Sequence, residues 1–255
     1  MRPEIGPIES FLIKTVKSRG SAHLTLIDPD AQKPEQAGLI AEAACQGGTD
    51  AIMVGGSIGA TGVLLIDTIS QIKKKVDLPV ILFPSSIAGL CENADAVFFM
   101  SLLNSRSSSY LIENQALGAP LVFRYNLEAI PMAYIVVEPG GTVGWVGDAR
   151  AIPRKKPDLA VAYALAGKYL GMRFVYLEAG SGASEPVPND IVKVVKKVLG
   201  KTLLIVGGGI RTAESAASLV ECGADLIVTG TAVERSMDIA AFVSRVTRAM
   251  HGAHA

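Results

Sequence analysis

Short runs of apolar and β-branched residues alternate along this chain with longer stretches in which apolar positions recur every three or four residues. The short runs are HLTLID (23–28), AIMVGG (51–56), VILFPS (80–85), AVFFMS (96–101), AYIVVE (133–138), FVYLEAG (174–180), TLLIVGGG (202–209) and LIVTGT (226–231). Between them Ala37, Ile40, Ala41 and Ala44 fall at helical spacing, as do Leu159, Tyr163, Ala166 and Leu170, and later Ile239, Phe242, Val243 and Val246. Each set predicts a helix face packed on a sheet. Strands that are apolar nearly throughout, each followed by a helix, are the pattern of a parallel sheet covered on its outside. Eight of them in a chain of 255 residues predict closure into a single (β/α)8 TIM barrel spanning 1–255, since that barrel commonly takes about 250 residues.

One connection departs from the pattern. After VILFPS only SSIAGLCENAD (85–95) precedes the next strand, too short for a helix and two turns. The barrel is therefore predicted to be modified, with its third helix missing or replaced by a loop or strand. The serine-rich start of NSRSSSYLIENQALGAPL (104–121) reads as a loop opening a helix. In KVVKKVLGK, Lys193, Lys196, Lys197 and Lys201 read as a solvated outer face.

Composition narrows the partners. Hydrophobic residues make up 49% of the chain, but charges interrupt every run before the roughly 18 residues that a membrane span requires. The leading residues mix charges with prolines and lack the apolar core of a secretory signal, which sets the expectation of a cytoplasmic protein. With Lys plus Arg and Asp plus Glu equal at 24 each, no global field draws the chain to nucleic acid or an acidic membrane. Cys45, Cys91 and Cys222 are widely spaced and odd in number, which supports small packed thiols rather than a disulfide framework or zinc site. His23, His251 and His254 form no ligand spacing. The lone Trp145 is expected in the core.

Candidate chemistry enters with glycine. YLEAGSGA (176–183), LLIVGGGI (203–210) and LIVTGTA (226–232) place it directly after three successive strands, at the end of the barrel where active sites sit. Glycine lets main-chain N–H groups approach a ligand, and a helix N-terminus behind them favours an anion. Any one cluster would suit an ordinary tight turn; three in succession predict a phosphate pocket, with Gly207 to Gly209 and Thr229 to Thr231 at its centre. A dinucleotide fold does not fit, because GGGI follows a late strand and lacks the GxGxxG spacing.

Carboxylates supply a second feature. IDPD ends the first strand with Asp28 and Asp30 on either side of a proline. A carboxylate at the mouth of a phosphate-handling barrel is a natural magnesium ligand, and capping of the next helix suits Asp30 better than Asp28. The hydroxyl of Ser57 in GGSIGAT could join the metal or a phosphate. Strand alternation puts Tyr176 and Glu178 on one face and Leu177 on the other. A glutamate inside a barrel mouth is costly unless used or paired, which makes Glu178 the candidate for proton transfer.

Taken together and in order, HLTLIDPD, MVGGSIGAT, ILFPSS, YLEAGSGA, IVGGGIRT and VTGTA (within 21–235) resemble the geranylgeranylglyceryl phosphate synthases, archaeal enzymes that make the first ether bond of membrane phospholipids. The resemblance implies a TIM barrel lacking its third helix. It also implies a magnesium-dependent prenyltransferase moving a geranylgeranyl group from its diphosphate to the 3-hydroxyl of sn-glycerol 1-phosphate. Carried over by position, it implies magnesium at Asp28 and Ser57. Glycerol phosphate would be bound by Tyr176, Leu177, Glu178, Ala179, Gly180, Ser181, Gly182, Gly207, Gly208, Thr229 and Gly230, with Glu178 taking the proton, in a homo-oligomer that is a dimer or a hexamer. The absence of a DDxxD motif argues against a helical prenyltransferase. The small-residue run IAGLCENADAVFFM (87–100), beside the omitted helix, is expected to line the prenyl groove, so that enlarging Ala88 or Gly89 would shorten the accepted chain. Alternative readings are a heptaprenylglyceryl phosphate synthase with the same pocket, a sugar-phosphate isomerase-type barrel, and a catalytically silent phosphate-binding scaffold.

Overall fold

The computed structural model describes residues 4–252. Eight parallel strands close into a barrel in sequence order: β1 (Ala22–Ile27), β2 (Ala51–Val54), β3 (Val80–Leu82), β4 (Ala96–Leu102), β5 (Glu128–Val136), β6 (Phe174–Glu178), β7 (Leu203–Gly207) and β8 (Leu226–Thr229). Around it lie α1 (Pro7–Arg19), α2 (Pro34–Gln46), α3 (Gly62–Lys73), α4 (Asn114–Arg124), α5 (Gly141–Val146), α6 (Pro157–Tyr169), α7 (Asn189–Leu199), α8 (Ala213–Glu221), α9 (Thr231–Glu234) and α10 (Ile239–Gly252). The eight strand runs read from sequence all appear. β5 starts earlier than expected, at Glu128, because it incorporates Pro131; a proline in a strand argues against the assignment in sequence, but here only its carbonyl is used, accepting from the Arg173 N–H.

Alternation along each strand divides the core in two. Leu24, Met53, Ile81, Phe98, Met132, Tyr176 and Ile205 fill the barrel axis, while Ile27, Ile52, Ile135, Leu177 and Val206 face the helices. α1 closes the bottom. Its first N–H groups, Ile8 and Glu9, donate to the Glu128 carboxylate at 2.7 Å each, a favourable charge at a helix N-terminus. Buried Glu9 forms a two-pronged ion pair with Arg173. The one open end of the barrel axis is therefore the C-terminal one.

The β3–β4 connection contains only a three-residue 3-10 turn, Ile87–Gly89, where a helix belongs in a regular barrel. The serine-rich segment opens as expected into helix, first as a single π turn at Ser109–Glu113 and then as α4. Ala37, Ile40, Ala41 and Ala44 are buried, as are Phe242, Val243 and Val246. α6 turns differently: Leu159, Ala166 and Leu170 are exposed and Tyr163 is half-buried, while Ala160, Ala164 and Gly167 form the buried face. Small side chains let this helix lie close on β5, with Gly167 directly over Ala133, so the larger residues are displaced outward. Lys193, Lys197 and Lys201 are solvated, and half-buried Lys196 pairs with Asp225. Cys45, Cys91 and Cys222 are free, though only Cys91 is fully buried. Trp145 is 84% exposed rather than in the core, because the six-residue α5 turns Val143 and Val146 inward and leaves Trp145 on its outer side. His254 lies outside the described residues.

His23 is buried outside the strands of β1, against the helices, with its two ring nitrogens 2.9 Å from the Thr49 and Thr229 hydroxyls. Burial, aided by His251, pushes its pKa down to about 3, so the ring is neutral. The unfolded chain takes up a proton near pH 6.5 that the folded protein refuses. The stability tied to this ring is therefore intact above pH 6.5, falls by about 1.4 kcal/mol per pH unit below it, and levels off near pH 3. Urea unfolding of the protein and of His23→Gln at pH 7, 6 and 5 should show the wild type losing more stability than the variant with each step; parallel losses would contradict the buried neutral ring.

Candidate active site

Two adjoining cavities open at the C-terminal mouth, and Leu26, Glu178 and Ser181 line both. Glu178 ends β6 pointing inward, only 6% exposed. Its Oε1 accepts from the Gly180 N–H at 2.6 Å and its Oε2 from the Tyr134 hydroxyl at 3.2 Å. Among the described residues it has no cationic partner. Burial pushes its carboxyl above the usual range, partly offset by the Gly180 N–H and by the Tyr134 and Tyr176 hydroxyls. Beneath it Tyr134, Tyr176 and Phe83 pack ring against ring, with centroids 5.1 to 5.5 Å apart, a dry floor that keeps the carboxylate desolvated.

The late glycine loops surround one cavity, which is lined by Gly182, Gly208, Gly209, Gly230 and Thr231 among others. Gly208 and Gly209 both have left-handed φ, +81° and +70°. A Cβ on Gly208 would also run into Glu178 and stand 2.7 Å from the Gly180 nitrogen. Conformation and clearance thus both demand glycine. The Ser181 and Thr231 hydroxyls are 3.0 Å apart across the opening.

Residues carried over by resemblance fall into two groups. Tyr176, Glu178, Ser181, Gly182, Gly208, Thr229 and Gly230 line this cavity. Leu177 and Ala179 instead bury their side chains among the helices, as alternation along the strand requires, so neither reaches the mouth through its side chain. Gly180 and Gly207 shape it from behind: the Gly180 N–H is spent on Glu178, and Gly207 clears the Tyr176 hydroxyl. The Thr229 hydroxyl is turned away from the cavity to His23.

The second cavity, continuous with solvent at the mouth, begins at Asp28, Gly56 and Ser57 and runs past Phe83 toward α4. Asp28 and Ser57 are thus brought to the same groove as Glu178. Gly56 lies against the Asp28 carboxylate with no room for a Cβ. Asp28 is pushed above its ordinary range by burial, which the Asp30 N–H opposes and the Asp30 charge reinforces. An all-oxygen pair of one half-buried carboxylate and one hydroxyl fits a hard divalent cation that keeps most of its waters; no three His, Cys, Asp or Glu converge among the described residues. Asp30 does not cap α2, whose N-cap is Lys33; the chain travels too far between them, and Asp30 lies instead beside Gly59.

Sequence reading did not single out Tyr134, Phe83 or Glu234. Tyr134 pairs in register with Tyr176, a tyrosine at an inward position that strand parity marks. Glu234, on α9, accepts from the Asp28 N–H at 3.4 Å and carries no signal in sequence, since only barrel closure brings β8 beside β1. Ala88 and Gly89 do not line the groove: Ala88 faces solvent, while Ile87 and Leu90 of the same turn face in, as the threefold repeat of a 3-10 turn dictates.

Residues 13–248 match the PcrB family. The chain belongs to that family. It is 67% identical over 250 residues to a geranylgeranylglyceryl phosphate synthase of Methanothrix thermoacetophila, covering 98% of each chain. It is 57% identical to the protein of the same name from Pyrococcus abyssi, over 92% of this chain and 93% of that one. The crystal structure of (S)-3-O-geranylgeranylglyceryl phosphate synthase from Thermoplasma acidophilum, in complex with sn-glycerol-1-phosphate, superposes with a TM-score of 0.93 at 44% identity, covering 98% of this chain and all of the other. No helix among the described residues is long and apolar enough to cross a membrane.

The glycine loops yield a direct test. Gly208→Ala should weaken binding of glycerol 1-phosphate by about tenfold or more, roughly 1.4 kcal/mol, in calorimetric titration; unchanged affinity would mean that the close approach of this loop is not part of the anion pocket.

Proposed function

We propose that the protein is a prenyltransferase that joins the 3-hydroxyl of sn-glycerol 1-phosphate to the geranylgeranyl group of geranylgeranyl diphosphate, releasing pyrophosphate. The observation that carries this reading is Glu178, a buried carboxylate without a cation, on the boundary shared by a glycine-lined anion pocket and a long, largely apolar groove. A phosphate on the Gly208, Gly230 and Thr231 loops leaves the glycerol hydroxyls directed toward Glu178. A prenyl chain in the groove puts its diphosphate end toward Asp28 and Ser57. The two substrates then meet beside Glu178. Its carboxylate orients the 3-hydroxyl and accepts its proton as that oxygen attacks the allylic carbon. The dry aromatic floor beneath raises the basicity of the carboxylate, and the Tyr134 hydroxyl holds it in place.

Magnesium is part of the proposal. Asp28 and Ser57 would hold it, and when bound it neutralises charge on the leaving diphosphate. A cytoplasmic location and a homo-oligomer, dimer or hexamer, belong to the same reading; exposed Phe123 and Trp145, 88% and 84% accessible, support association.

The test is incubation of pure protein with labelled glycerol 1-phosphate, magnesium and prenyl diphosphates of graded length, with ether products separated by chromatography. Product with geranylgeranyl diphosphate is expected, and none with any donor would refute the reading. Glu178→Gln should cut kcat by about a hundredfold or more with glycerol phosphate affinity retained. Asp28→Asn should raise the magnesium and diphosphate requirements while leaving the KM for glycerol phosphate nearly unchanged.

The pH profile follows from the same carboxylate. Activity requires ionised Glu178, so kcat/KM should fall as pH drops, with its acid limb above the ordinary carboxylate value of 4.5. Tyr134→Phe removes a hydrogen bond that favours the ionised form, and should move that limb further up; a limb that stays in place would separate Tyr134 from the reaction.

A further inference from the structure

We propose that Arg211 is a positioning residue for the acceptor's phosphate: its guanidinium pins the turn Gly180–Ala183 after β6 against the β7 loop, and so holds two free main-chain N–H groups at the glycine-lined cavity. The inference rests on the acceptor reading above. The turn is closed by the Ala183 N–H, which donates to the Gly180 carbonyl at 3.1 Å. Its third residue, Gly182, has φ +72°, while Ser181 before it has no positive φ, the signature of a type II turn. The N–H groups of the two central residues take no part in closing such a turn. Those of Ser181 and Gly182 have no acceptor among the described residues, and both residues line the cavity.

The turn gets little support from its own surroundings, since a Cβ on Gly182 would meet nothing within 4 Å. What fixes it comes from the two neighbouring loops. From the β8 side the Thr231 hydroxyl stands 3.0 Å from that of Ser181. From the β7 side Arg211 Nη2 donates to the carbonyls of Gly182 and Ala183 at 3.0 and 2.9 Å. A trans peptide directs its C=O and N–H opposite ways, so the peptide joining Gly182 to Ala183 is held at both ends, by Arg211 on the oxygen and by Gly180 on the nitrogen. One nitrogen of the guanidinium serves both carbonyls, and no carboxylate pairs with Arg211 among the described residues. Arg211 lines the same cavity, so its uncompensated charge favours an anion beside the turn. Without this side chain the turn is free to move, and ordering it when phosphate binds costs affinity.

Calorimetric titration of wild type, Arg211→Met, Gly182→Ala and the double variant with sn-glycerol 1-phosphate, beside steady-state assays, tests this. Arg211→Met should weaken affinity by about tenfold and raise the KM for glycerol 1-phosphate in proportion, with the KM for geranylgeranyl diphosphate and kcat at saturation within about twofold of wild type. Gly182→Ala strains the same turn and should also weaken affinity, and in its background Arg211→Met should cost little more, because the two changes act on one element. Losses that multiply in the double variant would overturn the positioning role in favour of simple charge attraction. A donor KM that rises in step with the acceptor KM would overturn it in favour of a general structural role. Wild-type affinity in Arg211→Met would overturn the assignment of Arg211 alone, whereas a wild type that binds no glycerol 1-phosphate would overturn the acceptor reading itself.

Discussion

A closed parallel barrel has to fill its own axis, and that requirement organises the rest of this protein. Every second side chain points inward, so the column from Leu24 and Phe174 up through Phe98, Tyr134 and Tyr176 is packed before any chemistry is possible. Chemistry begins where the filling stops. Glu178 is the next inward position after Tyr176, and the aromatic rings below deny its carboxylate the water that would otherwise hold its pKa low. The glycines of β7 and its following loop are constrained from the same direction, since Gly207 must clear the Tyr176 hydroxyl and Gly208 must clear Glu178.

The departure from barrel regularity is as consequential as the regularity. A three-residue β3 and a single 3-10 turn replace a full strand and helix, which costs buried apolar contact on one side of the barrel. The space so released becomes a groove whose one end carries Asp28 and Ser57 and whose other end reaches α4. One mouth thus presents two unlike environments, a polar cradle of glycine loops and an apolar trench, with a desolvated carboxylate between them. That division matches the two halves of an amphipathic product.

Buried polar groups away from the mouth have a structural role. His23, Thr25, Thr49 and Thr229 satisfy one another between barrel and helices, and this takes the Thr229 hydroxyl out of the glycine-lined cavity while fixing the end of β8 beside it. Glu128, Glu9 and Arg173 similarly tie α1 across the bottom.

Local pattern was enough for the parts of this protein that follow from near neighbours in the chain. Apolar runs marked all eight strands, a short connection disclosed the absent helix, and glycine after β6, β7 and β8 located the mouth. Parity put Tyr176 and Glu178 inward and Leu177 outward. Tertiary structure decided what depends on distant pairing or on which side of an element meets a neighbour. Trp145 lies outside because α5 spends its inner side on two valines, and α6 buries alanines because only small residues fit close to β5. Thr229 turns to His23, and Glu234 reaches Asp28, because closure sets β8 against β1. The close approach of Gly118 in α4 to Leu90, 3.2 Å from where a Cβ would stand, is likewise invisible in sequence, where a glycine inside a helix reads as a weakness, since periodicity encodes the direction of a side chain but not its distance from what it faces.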